Sequence, residues 1–223
     1  AEFQDLLYQI RRQPGGQSSQ DSELPSGLQL GTGVRVTGTQ KIFTAGSLQT
    51  TEQPLDMAIN GRGFFQVLLP DGTVSYTRDG SFHLSSDGQL VTSNGYALEP
   101  AIVVPPETQT FTVGEDGTVS VTTVGNPQPQ IIGNLQTADF INPAGLQAMG
   151  SNLFLETAAS GAPQVSTPGL NGLGTVLQNT LENSNVSVVE ELVNMITTQR
   201  AYEMNSKVIS TADQMLSFVT QQL

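Results

Sequence analysis

The fold is decided by a short stretch in the first half of the chain: Gly63-Phe-Phe-Gln-Val-Leu-Leu69, Pro70-Asp-Gly72 and Thr73-Val-Ser-Tyr-Thr-Arg78. Both flanking runs are rich in aromatic and β-branched residues, which strands favour. The Asp-Gly pair between them is a strong short-range signal for a hairpin. We therefore predict two antiparallel strands, at 63–69 and 73–78, joined by a tight turn.

Dipeptides of the same kind punctuate the surrounding sequence, namely Asn60-Gly61, Asp79-Gly80, Asp87-Gly88, Asn94-Gly95 and Asp116-Gly117. Asp and Asn tolerate a positive φ and Gly adopts it freely, so these pairs predict type I′ turns. The Asp-Gly pairs at 71, 79 and 87 recur every eight residues, as in a meander of short strands. Further strands are predicted at 28–36, 56–60, 81–84, 89–92, 96–99, 102–104, 109–113, 118–124 and 130–138.

Outside this region the pattern changes. Apolar residues at 3, 6, 7 and 10 have helical spacing and predict the end of a helix over 1–12, stopped by Pro14-Gly15-Gly16. Residues 13–27 and 158–174 are rich in Gly, Ser, Pro and Gln, the composition of linkers.

The C-terminal segment predicts one long helix, because residues 175–223 contain neither Gly nor Pro. Ser187 followed by Glu190 forms a capping box, and the helix should continue to about Gln221. Heptad spacing relates its apolar residues, as along a coiled-coil seam. One row is Val188, Met195, Tyr202, Ile209 and Leu216, and the second is Ala201, Met204, Val208, Met215 and Phe218. Two seams predict more than one neighbour, although a helix buried in its own fold is the alternative.

Composition excludes several functional classes. With 8 basic and 20 acidic residues the net charge is −12, which disfavours binding to nucleic acid or to an anionic membrane surface. There is no Cys, so disulfides and cysteine-based metal sites are impossible. No run approaches the roughly 20 apolar residues of a membrane span. The first residues have no basic or apolar leader region, so we expect no cleaved signal peptide.

The sequence contains no recognisable catalytic, cofactor-binding or metal-binding constellation. The single histidine, His83, could be written into a triad with Ser81 or Ser85, but a solvated strand histidine is the simpler interpretation. Asp71, Asp79, Asp87 and Asp116 lack the spacing of a calcium loop and are interpreted as turn residues. No P-loop or complete dinucleotide fingerprint is present, and paired carboxylates for glycoside hydrolysis stay open.

Several motifs resemble the bacterial flagellar rod and hook family. They are Asn185-Val-Ser-Val-Val-Glu-Glu191, Met195-Ile-Thr-Thr-Gln-Arg-Ala-Tyr-Glu203 and the stretch from Gly61 to Phe82. The stretches Phe3–Gln9, Arg12–Gly15 and Pro25–Arg35 are most similar to the distal rod branch of that family. The similarity covers essentially the whole chain. Family members carry a helical segment ahead of the position of Phe3, and we expect this segment to be missing here. In family members it would cover one of the two seams of the C-terminal helix.

The resemblance implies a structural subunit and not an enzyme. Distal rod subunits form a hollow helical tube that carries torque from the motor to the hook across the periplasm and outer membrane. Terminal helices line the tube and β domains face outward. The implied partners are other copies, proximal rod proteins, the hook protein and the outer-membrane and peptidoglycan ring proteins. Export proceeds through the flagellar type III apparatus without a cleaved signal. An inter-subunit strap is implied at Gln13, Pro14, Gly15, Gln17, Ser18, Ser19 and Leu24.

The sequence as a whole predicts a mainly β fold. Its expected parts are a helix end, strap and first strands over 1–46, an antiparallel short-stranded β domain over 47–157, a return linker over 158–183 and an assembly helix over 184–223. The alternatives are a hook or proximal rod protein of the same family, a secreted β-rich binding module with an oligomerising helix, and a hydrolase.

Overall fold

In the computed structural model, the residues described are 2–5, 8–12, 17–19, 22–23, 28–31 and 33–221. They form short antiparallel strands and one long C-terminal helix, which confirms the predicted mainly β fold class. The chain divides into two compact units, Ala1–Phe43 and Thr44–Leu223.

The described residues of the first unit form six strands with nested antiparallel pairing. They are β1 (Glu2–Asp5), β2 (Tyr8–Arg12), β3 (Gln17–Ser19), β4 (Ser22–Glu23), β5 (Leu28–Gly31) and β6 (Val34–Gly38). β1 pairs with β6, β2 with β5, and β3 with β4, as in one long hairpin. The helix predicted over 1–12 is wrong. A helix this short is marginal in water, whereas ladder pairing satisfies the backbone groups of the same residues.

The second unit contains sixteen strands, all paired antiparallel. The first eight are β7 (Leu48–Thr50), β8 (Met57–Asn60), β9 (Phe64–Leu68), β10 (Val74–Thr77), β11 (Phe82–Leu84), β12 (Leu90–Thr92), β13 (Ala97–Glu99) and β14 (Thr108–Val113). The others are β15 (Thr118–Thr123), β16 (Asn126–Asn134), β17 (Thr137–Asp139), β18 (Gln147–Gly150), β19 (Leu153–Leu155), β20 (Gln164–Ser166), β21 (Thr175–Gln178) and β22 (Thr180–Glu182). A single turn of 3₁₀ helix spans Pro143–Gly145.

The largest sheet is built around β9 and β10, the two strands of the predicted hairpin. Its strand order is β11-β12-β13-β9-β10-β19-β18, and β17 pairs with both β9 and β20. β14, β15 and β16 form a separate three-stranded sheet. The core lies among these elements and includes Phe65, Phe82 and Leu98, all fully buried. Residues 102–104, predicted as a strand, make only an isolated bridge from Val103 to Gln89.

The turns have a different geometry from the predicted type I′. In the hairpin between β9 and β10, the N–H of Gly72 donates to the carbonyl of Leu69, and the N–H of Leu69 donates to the carbonyl of Thr73. Gly72 has a φ of 84°, whereas Asp71 does not have a positive φ. This is a three-residue loop, a type I turn closed by a left-handed glycine. Its pattern recurs at Asp87-Gly88, Asn94-Gly95 and Asp116-Gly117.

Two of the six dipeptides do not form hairpins. Asn60-Gly61 connects β8 to β9, and Asp79-Gly80 connects β10 to β11, and neither strand pair is hydrogen-bonded. The N–H of Met57 instead donates to the carbonyl of Gly80, 3.0 Å away. An Asn-Gly or Asp-Gly dipeptide indicates that a turn can form. Which strand pairs with the one before the turn depends on the burial of side chains across the whole sheet.

The return linker predicted over 158–183 is wrong in its C-terminal part. β20 pairs with β17, β21 pairs with β8, and β22 pairs with β7. Val176 in β21 is fully buried in the core. The Gly and Pro of residues 158–174 favour a linker, but Val176 and Leu177 that follow supply apolar side chains for a partly buried strand.

The helix α1 spans Val188–Gln221, 34 residues, in agreement with the predicted length. The hydroxyl of Ser187 accepts the N–H of Glu190 at 3.5 Å, and the Ser187 carbonyl accepts the N–H of Glu191 at 3.0 Å. Both glutamates lie in the first turn, where a negative charge is favourable. Within the part of the chain that the structure describes, no helix has both the length and the apolar character needed to cross a bilayer.

Candidate assembly surface

The surface of α1 is the main candidate functional site, because its described large apolar side chains are exposed. From Val188 to Phe218 the described side chains are exposed, apart from the half-buried Ala212. The exposed fractions of the large apolar residues in the two predicted rows run from 56% at Met195 to 76% at Tyr202. A helix that is apolar on several sides is normally buried.

The structure places the predicted assembly residues as two exposed rows. Members of the first row, Val188, Met195, Tyr202 and Ile209, are exposed; the side chain of the fifth member, Leu216, lies outside the described residues. In the second row all five residues are exposed, namely Ala201, Met204, Val208, Met215 and Phe218. A third apolar patch, Val189, Leu192, Val193 and Ile196, is also exposed near the start of the helix.

Three threonine hydroxyls of the helix are bonded to the backbone of the helix itself. The hydroxyls of Thr197 and Thr198 both donate to the carbonyl of Asn194, each at 2.8 Å. The hydroxyl of Thr211 donates to the carbonyl of Lys207 at the same distance. Such bonds within one helix remove donors that could otherwise bind a specific polar ligand.

The predicted strap lies only partly within the described residues. Gln17, Ser18 and Ser19 form β3, which pairs with β4. Gln13, Pro14, Gly15 and Leu24 lie outside the described residues. The strap therefore stays a prediction.

Residues considered for catalysis or metal binding are occupied in turns or exposed singly. His83 is exposed in β11, while the Ser85 hydroxyl accepts the N–H groups of Asp87 and Gln89, and Ser81 bonds Ser93. Among the described residues, no group of three or more His, Asp or Glu side chains could hold a metal ion.

Two of the turn aspartates accept the same pair of donors from the threonine two residues later. The Oδ1 atom of Asp71 accepts both the N–H and the hydroxyl of Thr73, at 3.0 and 2.7 Å. Asp116 accepts the same pair of donors from Thr118, at 3.0 and 2.8 Å. The Thr73 hydroxyl bond lowers the pKa of Asp71 most, and the Thr118 backbone bond lowers the pKa of Asp116 most. The carboxylates are thus stabilised as turn acceptors.

Sequence reasoning missed a buried ion pair that lies just ahead of the helix. The Arg78 guanidinium pairs with Glu182 at 2.8 Å, and both side chains are mostly buried. Glu182 lies in β22, just ahead of the helix. The sequence signal for this pair is an arginine at the end of a buried strand, because a buried charge needs a partner of opposite charge. The sequence does not indicate which acidic residue is that partner.

Comparison with known proteins agrees with this architecture. The family model for the flagellar hook protein FlgE/F/G D1 domain matches residues 58–121, and the model for the flagellar basal body rod FlgEFG protein C-terminal matches residues 177–222. The second match covers β22 and the whole of α1.

Curated relatives align along nearly the whole chain. The flagellar basal-body rod protein FlgG of Buchnera aphidicola (subsp. Schizaphis graminum) is 57% identical over 99% of this chain and 85% of its own length. FlgG of Caulobacter vibrioides is 50% identical with the same coverage. The flagellar hook-basal body complex protein FlhP of Bacillus subtilis is 30% identical over 87% of this chain and 74% of its own. The chain therefore belongs to the flagellar hook and basal-body rod family, whose members are structural proteins rather than enzymes.

Proposed function

We propose that this protein is a structural subunit of the distal rod of the bacterial flagellum. Copies of it assemble into a hollow helical tube that transmits torque from the motor to the hook, across the periplasm and outer membrane. The observation that carries the proposal is the 34-residue helix whose apolar residues are exposed on several sides. Relatives at 50–57% identity that are named flagellar basal-body rod proteins support the flagellar rod as the structure that this subunit builds.

The two apolar rows favour assembly for a physical reason. Exposed apolar surface of this extent is unfavourable in water and marks a surface that meets another protein. Two rows on different sides of one helix bind two different neighbours. Contacts between unlike patches of identical copies do not close into a dimer, and they generate rings or helical filaments.

Partners and location follow from the same assignment. The subunit sits in the flagellar basal body, between proximal rod proteins and the hook, and turns inside the outer-membrane and peptidoglycan rings. It reaches this position by type III export without a cleaved signal peptide. Residues of the predicted strap, from Gln13 to Leu24, contact neighbouring subunits. The net charge of −12 keeps the free subunit soluble before assembly.

The test is polymerisation of the full-length protein, followed by electron microscopy. We expect straight, stiff tubes at high protein concentration. Ile209→Glu should abolish them, since it places a charge in the first row, while the β domain keeps its thermal transition. Val124→Glu is the matched control, an equally exposed apolar residue at the end of the β15–β16 hairpin, and should assemble normally.

Other outcomes would each contradict the proposal. Discrete small oligomers at high concentration would favour a binding module with an oligomerising helix. Curved, flexible tubes would favour a hook protein. Loss of the β-domain transition in Ile209→Glu would mean that the helix is part of the core of its own fold.

A further inference from the structure

Arg78 makes contacts with several separate parts of the β domain at once. Its Nη1 atom donates to the carbonyls of Gly61 and Gly63, at 3.0 and 2.9 Å, and its Nη2 atom donates to the carbonyl of Ile59 at 3.2 Å. Its Nε donates to the carboxylate of Glu182 at 2.8 Å. All three nitrogens of the guanidinium are therefore engaged, and they join the end of β10, the β8–β9 connection and β22.

Glu182 continues this network toward the incoming chain. Its Oε2 atom receives Arg78, whereas its Oε1 atom accepts the N–H of Gly46 at 2.9 Å. Only 18% of the Arg78 side chain and 11% of the Glu182 side chain are exposed. Separating the two side chains would leave an uncompensated charge in an environment with little water. The fold therefore favours the arrangement in which Arg78 and Glu182 stay in contact.

The residues between Glu182 and the helix are also held by the incoming segment. The N–H of Asn183 donates to the carbonyl of Ser47 at 2.8 Å. The side-chain amide of Asn185 donates to the carbonyl and hydroxyl of Thr44, at 3.0 and 3.1 Å. The helix begins at Val188, only a few residues later. We refer to 44–50 and 180–187 together as the root of the helix.

From this geometry we infer that Arg78 is a positioning residue that holds α1 at a fixed orientation to the β domain. The backbone pairs in the root tie its two segments to each other. Arg78, at the end of β10, adds side-chain hydrogen bonds that connect Glu182 in the root to the carbonyls of Ile59, Gly61 and Gly63. The inference rests on the proposed function, since a subunit that carries torque needs its helix and its outer domain to move as one body.

The inference predicts that charge alone is insufficient at position 78. Lysine has a single nitrogen with three donors, so it cannot bond Glu182 and three separate carbonyls at once. Arg78→Lys should therefore loosen the helix although the net charge is unchanged. Arg62 provides the matched control, because it pairs with Asp139 at 3.0 Å but its side chain is 65% exposed.

The experiment measures the distance between two spin labels in the dilute monomer. The chain has no native cysteine, so Gln109→Cys in β14 and Gln199→Cys in α1 give one clean pair of exposed labelling sites. We expect a narrow distance distribution in the parent and in Arg62→Lys. In Arg78→Lys and Glu182→Gln we expect a distribution at least about two-fold broader, with the thermal transition of the β domain retained.

Two results would overturn the inference. An unchanged distribution in both root variants would mean that the backbone pairs orient the helix without Arg78. Loss of the β-domain transition in both would make the pair a core-stability element instead. Because the measurement is made on monomers, its outcome is independent of the proposed function. A parent protein that shows the narrow distance distribution but never polymerises would refute rod assembly. It would leave the positioning role of Arg78 intact.

Discussion

The rings of Phe65 and Phe82 meet edge to face in the centre of the β domain, with centroids 5.3 Å apart and planes at 88°. Phe65 lies in β9 and Phe82 in β11, and both side chains are fully buried. The contact packs the central hairpin against β11, the edge strand at one end of the sheet. β9 and β11 share no backbone hydrogen bonds, so this side-chain contact connects them directly.

Phe65→Ala should therefore destabilise the β domain strongly, by about 3–5 kcal/mol, since it removes a buried ring and leaves a cavity. Phe218→Ala makes the same chemical change on the exposed helix and should alter the free energy of unfolding by less than about 0.5 kcal/mol. Urea unfolding of both variants checks this. Similar losses in the two would mean that the helix packs on the β domain in solution.

Thr137 supplies a prediction of the opposite sign. Its side chain is fully buried in β17, and its hydroxyl has no hydrogen-bond partner among the described residues. Thr137→Val should be neutral or stabilise the fold by up to about 1 kcal/mol, because an unsatisfied buried hydroxyl is costly. Differential scanning calorimetry measures the change.

The matched control is Thr77→Val, another buried threonine in the same sheet. The Thr77 hydroxyl accepts the N–H of Asp79 at 3.0 Å. Its loss should cost about 1 kcal/mol. Equal effects of the two substitutions would contradict the assignment of the Thr137 hydroxyl as unpaired.

Gly46 tests the packing of the helix root. A Cβ at this position would overlap the carbonyl oxygen of Asn183. Gly46→Ala should force the two root segments apart at a cost of roughly 1–3 kcal/mol, and it should accelerate amide exchange at Asn183, whose N–H donates to Ser47. Hydrogen exchange read by mass spectrometry over 44–50 and 180–187 gives the measurement.

Gly38→Ala is the control for steric effects of an added methyl group. Apart from its chain neighbours, no atom of the described residues lies within 4 Å of its Cβ position, so its exchange should match the parent. If Gly46→Ala also exchanges like the parent, the two segments are not in close contact in solution.

The turn aspartates predict a specific dependence on pH. Because hydrogen bonds from Thr73 and Thr118 lower the pKa values of Asp71 and Asp116, each carboxylate favours the folded state above the ordinary aspartate pKa, about 3.9. That contribution declines as the pH falls through the folded pKa. Thr73→Val removes the larger cause at Asp71, so the pKa of Asp71 should rise partway to its ordinary value.

NMR titration of the carboxyl carbons checks this prediction, and Asp116 in the same variant is the internal control. Its pKa should not change, since its partner Thr118 is intact. A rise at both aspartates would indicate a general change of the fold rather than the loss of one hydrogen bond.

Parts of the molecule with strong local signals were predictable. The hairpin at 63–78 appears as β9 and β10, and the helix begins next to its capping residue Ser187 and runs to Gln221. The turns at Asp71-Gly72 and Asp116-Gly117 were located correctly, but their type was not. A short Asp-Gly segment fits both loop lengths, and only the register of the flanking strands selects one of them.

Where local signals were weak, prediction failed. Residues 2–5 and 8–12 have helical spacing but pair as strands, and 175–182 follows a loop-like segment but contributes Val176 to the core. In each case the partner strand is distant in sequence. Its pairing outweighs a local preference that is worth only tenths of a kcal/mol per residue.

The sequence by itself determined the elements whose energetics are local: the hairpin turns, the capped helix, and the two apolar rows, which exist because of spacing along one helix. Only the tertiary structure decided that these rows stay uncovered by the described residues, that 164–182 belongs to the β domain, and that Arg78 meets Glu182 at the helix root. The longest of these relationships join residues more than a hundred positions apart. They depend on burial and strand order, which no local window of sequence specifies.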